Sequence, residues 1–146
     1  MFVSQECQYA LRAVLELARR YRRGSAKNSE IAEVQAIPPR FLEVILSQLR
    51  RGGFVGSRRG SSGGYVLLED PARLTVGSII RFIEGPVQPA GKPGAEPAEG
   101  RSLSLVRMWE RVGKAVKDLY DTTTFQDLLD EEARLGARQF VPSYAI

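Results

Sequence analysis

The strongest constraint on the fold is a change of hydrophobic period between Pro38 and Leu68. Pro38 and Pro39 suit the first turn of a helix, where a backbone N–H has no partner to lose. Phe41, Leu42, Ile45, Leu46 and Leu49 then recur at helical spacing on an inward stripe, with Arg40, Glu43, Ser47 and Arg50 outward. Gly52-Gly53 stops that helix. Phe54–Arg59 and Tyr65–Leu68 follow as short extended runs around Gly60-Ser61-Ser62-Gly63-Gly64, which reads as a hairpin with a flexible tip.

The segments on either side complete a pattern. From Ser4, the positions Ala10, Leu11, Val14, Leu17, Ala18 and Tyr21 fall on one helix face until Gly24. Asn28 or Ser29 is expected to cap a short second helix with Ile31, Ala32 and Val34 inward, and Gln35-Ala36-Ile37 forms the turn into the third. Leu74–Ile83 predicts a fourth helix, capped by Thr75 and buried along Val76, Ile79, Ile80 and Ile83. Helix, helix-turn-helix, hairpin is the winged-helix order. The expected class is mainly α with a small β-hairpin wing, residues 1–84 being a winged helix-turn-helix DNA-binding domain.

Gly85–Gly100 holds four glycines and four prolines in sixteen positions, so residues 85–101 are expected to be a loop. Residues 102–146 are expected to form a dimerisation helix and a C-terminal tail. Leu105, Trp109, Val112, Val116 and Leu119 step by four, three, four and three, the 3.5-residue period of a seam between paired helices. Trp109 is read as an anchor of that homodimer seam rather than as part of a ligand cage. Thr122, Thr123 and Thr124 interrupt the long helix, and Phe125, Leu128, Leu129 and Leu135 suggest a short last one.

Composition removes most catalytic chemistry. The 146 residues include no histidine and one cysteine, Cys7, which excludes Ser-His-Asp and Cys-His machinery, zinc fingers and an internal disulfide within one subunit. No spaced set of carboxylates, Lys, Tyr and Ser stands out, and Asp127, Asp130, Glu131 and Glu132 read as a solvated acidic face, so no enzyme is expected. The longest uncharged run, nine residues from Gly60 to Leu68, falls far short of a membrane span, and the Met1 stretch lacks the apolar core of a signal peptide. A soluble cytoplasmic protein is expected. The net charge is +4, and it is uneven: residues 1–73 carry 12 cations against 7 acids, residues 74–146 carry 9 against 10. The basic half is the half with the helix-turn-helix, and double-stranded DNA is the anionic partner this predicts.

In a helix-turn-helix the second helix enters the major groove, and outward side chains near its N-terminus reach base edges. Those positions are Pro38, Pro39, Arg40, Glu43 and Val44. Arg40 suits guanine or a phosphate. Glu43 accepts from a cytosine amino group and is ill suited to phosphates, so it is the sharper specificity residue. The competing reading is a solvated helix face with an internal Glu/Arg pair. Arg58 and Arg59 beside Gly60 stand where a wing meets the sugar-phosphate backbone or a narrow minor groove; charge protection of an edge strand explains the arginines but not the glycines. Arg50 and Arg51 are read as phosphate contacts or as partners of a helix C-terminus, and Arg19, Arg20, Arg22 and Arg23 chiefly as the latter. Gly60-Ser-Ser-Gly63 mimics the GxxG loop of an RNA-binding KH domain but joins extended runs, and Gly85–Lys92 lacks the spacing and hydroxyl of a phosphate loop. Cys7 is expected to be an inert, partly buried helix residue, with a redox role as the alternative because Arg12, a turn away, would lower its pKa.

The stretches Ser4–Ala13 (SQECQYALRA), Ile37–Leu49 (IPPRFLEVILSQL), Gly52–Leu67 (GGFVGSRRGSSGGYVL) and Leu74–Pro86 (LTVGSIIRFIEGP) resemble the Rrf2 family of bacterial transcription regulators, and Met108-Trp-Glu and Tyr120–Leu128 are similar to a subset of it. The resemblance implies a winged-helix dimer whose long C-terminal helices cross and whose wings grip an imperfect palindrome. It places the DNA-reading helix on Pro38–Val44, a base-selective carboxylate on Glu43 and the wing arginine on Arg59 beside Gly60. Many members hold an iron-sulfur cluster through three cysteines in the loop before the long helix. Here Gly85–Gly100 has none, Gln8 stands where some members have an acidic ligand, and histidine is absent, so no metal and no cofactor are expected. The signal is then an unknown effector: a small molecule, a protein partner or a Cys7 disulfide between subunits. The expected function is that of a dimeric, sequence-specific regulator, in most cases a repressor; the alternative is a protein-interaction adaptor on a winged-helix scaffold.

Overall fold

The computed structural model describes residues 3–61, 63–87 and 102–138; Ser62 of the wing tip, most of the expected loop and the tail from 139 lie outside the described residues. The elements are α1 (Gln5–Arg19), α2 (Asn28–Gln35), α3 (Pro39–Arg51), β1 (Val55–Arg58), β2 (Gly64–Leu67), α4 (Val76–Glu84), α5 (Leu103–Thr122) and α6 (Phe125–Arg138). The helix, helix-turn-helix, hairpin, helix order stands as the sequence predicts.

The helix starts follow from local chemistry, with one correction. Ser4 accepts the Cys7 N–H and Thr75 the Ser78 N–H, so α1 and α4 begin on side-chain caps. The cap of α2 is neither Asn28 nor Ser29: Lys27 occupies the position, with no side-chain cap bond, and Asn28 is already in the helix. α3 begins with Pro39 inside the helix and Pro38 at its cap.

α1 is the central element, packing against α2, α3, α4, α6 and β2. Its Ala10, Val14, Leu17 and Ala18 meet Ile31 and Ala32 of α2, Leu42, Ile45, Leu46 and Leu49 of α3, and Ile79 of α4 in one core. Burying each large aliphatic side chain contributes about 1.5–3 kcal/mol relative to exposure, which is what holds α3 with its other face outward. Two expected core residues are outside it: Val34 and Phe41 are both exposed.

The last helix belongs to the same core. Thr122 and Thr123 hydroxyls donate to the Asp118 and Leu119 carbonyls, each at 2.7 Å, at the end of α5. Thr124 and Asp127 then cap α6 reciprocally, the Asp127 N–H donating to the Thr124 hydroxyl at 3.0 Å and the Thr124 N–H to the Asp127 carboxylate at 2.9 Å. The Phe125 N–H donates to the Leu74 carbonyl at 3.0 Å and the Val76 N–H to that of Thr123 at 2.9 Å, so the chain entering α6 pairs with the chain entering α4. Phe125, fully buried, joins the α1 to α4 core. None of the helices described is long and apolar enough to cross a membrane.

Candidate DNA interface

The turn between α2 and α3 is made by Ala36, whose left-handed φ of 51° reverses the chain, and by Ile37, buried beneath it. Ala36 donates to Glu33 and Ile37 to Ala32, closing the end of α2. This fixes α3 with Leu42, Ile45, Leu46 and Leu49 against the core. Pro39, Arg40, Glu43, Val44, Arg50 and Arg51 are exposed along the remainder, with Pro38 at the cap. Arg50 reaches Ser57 of β1, Nη1 donating to Oγ at 3.2 Å, which ties the end of α3 to the wing.

The wing is a two-stranded antiparallel ribbon with Val55 opposite Leu67 and Arg58 opposite Gly64. Val55 and Leu67 point into the core and anchor its base. Ala26, in the α1 to α2 connection, exchanges backbone bonds with Tyr65 at 2.7 and 3.0 Å, so β2 is held on both edges. That approach requires Gly64: its φ is +154°, and a Cβ there would lie 2.5 Å from the Ala26 carbonyl oxygen. Arg58, Arg59 and Gly60 project at the exposed end. The Ala26 bridge also brings Lys27 to the wing, and Lys27, Arg58 and Arg59 line a groove of about 520 Å³ with Gly24, Gly63 and one acid, Glu30. Lys27 is a member of this basic surface that sequence reading missed, because only the long-range pairing of Ala26 with Tyr65 places it there.

Ion pairing divides the arginines. Glu16, buried in α1, accepts from Arg19, from Arg20 Nε at 3.1 Å and from Gln35 Nε2 at 3.2 Å. Arg19 also pairs with Glu132 of α6, and Arg20 with Glu30 of α2 at 2.8 Å. The Glu30 hydrogen bond raises the Arg20 pKa above its ordinary value, and Arg20 in turn holds Glu30 below the usual carboxylate range. Arg22 lies over the Tyr21 ring, 5.3 Å from its centroid. Arg19 and Arg20 are therefore struts between α1, α2 and α6. Among the described residues no ion pair engages Arg40, Glu43, Arg51, Arg58 or Arg59, so the internal Glu/Arg pair expected of a merely solvated α3 face is not formed.

α5 stands largely clear of this body. Leu105, Trp109, Val112 and Leu119 are exposed along it, Leu119 at 65%, and Val116 is half-buried. Its C-terminal part is held by α4: Arg81 pairs with Asp121 at 2.5 Å, and Gly77 lets Tyr120 and Asp121 approach closely.

Cys7 is fully buried, and the expected effect of Arg12 is corrected. Burial pushes the thiol up to about 11, with Glu84 and Glu6 acting in the same direction. Arg12 turns away, its guanidinium over the Tyr9 ring and its Nη2 donating to the Ala36 carbonyl at 3.4 Å. The sulfur is a neutral thiol at physiological pH.

The family model described as "Rrf2: Iron-dependent Transcriptional regulator" matches residues 3–131. The transcriptional regulator CymR of Bacillus subtilis is 37% identical over 128 residues, covering 88% of this chain and 89% of that protein. The solved structure of B. subtilis CymR, described as the global cysteine regulator, superposes with a TM-score of 0.80 at 35% identity, covering 90% of this chain and 98% of that one. IscR of T. potens superposes with a TM-score of 0.75 at 30% identity, over 90% and 88% of the two chains.

The donor set of this chain does not fit the iron of the family's description. An iron-sulfur cluster needs several thiolates or histidines, and the chain has one cysteine, buried as a neutral thiol, and no histidine. Among the described residues no three His, Cys, Asp or Glu side chains gather into a metal site. With a helix-turn-helix and wing whose arginines are free of ion pairs, and with family, sequence and fold matches along nearly its whole length, the chain belongs to the Rrf2 family of transcriptional regulators.

Proposed function

We propose that this regulator acts in the cytoplasm as a homodimer on a palindromic operator, without an iron-sulfur cluster, and represses by occupying it. The observation that carries this reading is the division of the arginines: carboxylates neutralise Arg19 and Arg20 at the end of α1, while α3 and the wing present theirs to solvent. Glu43 and Arg40 select bases from the face of α3 begun by Pro38 and Pro39. Arg59, beside Gly60, enters the minor groove. Arg50, Arg51, Arg58 and Lys27 neutralise phosphates. The α5 stripe of Leu105, Trp109, Val112 and Leu119, exposed, with the half-buried Val116, pairs with its copy in the second subunit and sets the spacing of the two half-sites. The signal is an effector other than a cluster, a small molecule or a protein.

Binding-site selection on random duplex DNA, then titration of the winning site across salt concentrations, tests the reading. A two-fold-symmetric consensus with a steep salt slope is expected; absence of enrichment, also in the presence of cell extract, favours the adaptor role. Arg59→Ala should weaken binding to operator and random DNA alike, about tenfold, and lower the salt slope by about one per lost phosphate contact. Glu43→Ala should leave nonspecific affinity intact or higher and relax the preference at one position per half-site, by about 1–3 kcal/mol of discrimination. An unchanged consensus for that variant assigns the reading to another side chain.

A further inference from the structure

On α3 the residues farthest from the buried stripe are Arg40, Val44, Ser47 and Arg51, spaced by four, three and four. Two apolar side chains break this polar surface. Val44 is 56% exposed at its centre, and Phe41, one turn earlier on the adjoining flank, is 62% exposed. Phe41 is held in place: its ring centroid lies 6.5 Å from that of Tyr9, and the Arg12 guanidinium covers the Tyr9 ring at 5.1 Å from its centroid. Arg12 is itself bonded to the Ala36 carbonyl in the helix-turn-helix turn. Phe41 is thus braced through α1, and Val44 stands beside it on the rigid face of α3.

An apolar ridge between two unpaired arginines faces an anionic partner that also offers apolar surface. In the major groove the only such feature is the C5 methyl group of thymine. We propose that Phe41 and Val44 read thymine methyl groups in the half-site, beside the base selected by Arg40 and Glu43. The polar side chains then distinguish bases by hydrogen bonding, and the ridge separates thymine from cytosine at neighbouring positions by burying a methyl group. This assignment rests on the DNA-binding reading above and gives it a specificity that Arg40 and Glu43 do not supply.

The experiment uses the full-length protein and its selected operator, with each thymine replaced in turn by uracil, which removes the methyl and nothing else. Affinities are measured for the unmodified protein, Phe41→Ala and Val44→Ala; both side chains are exposed, so neither truncation opens the core. One or two uracil positions should weaken binding by the unmodified protein, about fourfold per methyl and about fifteenfold when both half-sites are changed. The matching variant should bind thymine and uracil operators equally. The proposal is overturned if every uracil operator binds as tightly as its parent, if the selected half-site contains no thymine, or if the variants lose affinity while keeping full sensitivity to uracil. In those outcomes a selected site still exists and the DNA-binding reading survives. Failure to select any site overturns both.

Discussion

Replacing Trp109 and Leu119 together by glutamate should convert the protein to a 16.2 kDa species in sedimentation and reduce affinity for the full operator by about 10²–10⁴-fold. Both side chains are exposed in the protomer and lie outside its core, so the change should not unfold the helices. In a two-fold pairing each substitution appears twice, placing four carboxylates in a seam that is otherwise apolar, where desolvation and mutual repulsion act together. The loss on the operator arises because the second half-site is no longer delivered by a tethered partner. Affinity for an isolated half-site should therefore stay within a few-fold of the parent, and the salt slope should fall to about half. A variant that remains dimeric would place the interface elsewhere.

The parts of this chain legible from sequence are those whose physics is local. Pro38-Pro39, the stripe from Leu42 to Leu49 and the glycines around the wing each state their own conformation, so the helix-turn-helix and hairpin were expected where they occur. The stripe's edge was less legible. Phe41 stands four residues before Ile45 and fits the period, but the side of α3 it occupies meets the Tyr9 ring of α1 rather than the small residues Ala10 and Ala13, and it is left in solvent. Val34, at the end of α2, is likewise left in solvent. Charge was legible only in sum. Arg19 and Arg20 look as available as Arg58 and Arg59 until folding pairs the first two with Glu132 and Glu30; Glu30 also lines the groove beside Arg58 and Arg59 but forms no ion pair with either. Lys27 gains its place beside the wing only through the bridge from Ala26 to Tyr65. In each case the missing information is a contact between residues far apart in the chain.

Phe125 carries that lesson furthest, and its truncation should have the largest effect on stability. It sits among threonines at what looks like a simple break between helices. Yet it is among the largest fully buried side chains of the fold, and the backbone around it pairs with Leu74 and Val76. Phe125→Ala should cost about 3–5 kcal/mol, the sum of lost transfer energy and the cavity left behind. Against a total of about 5–15 kcal/mol for a domain, this is a drop in Tm of about 10–20 °C. Phe125→Leu, which keeps most of the volume, should cost less than half as much, and a Tm unchanged in the alanine variant would show that α6 does not dock on the core. The consequence reaches DNA binding. α5 meets the rest of the chain through Gly77, Arg81 and the segment that leads to Phe125, so in the proposed dimer loss of this side chain should loosen the angle at which α5 leaves the winged-helix body. At a temperature where Phe125→Ala is still folded, operator affinity should fall more than half-site affinity, because the two reading heads are no longer held at one spacing.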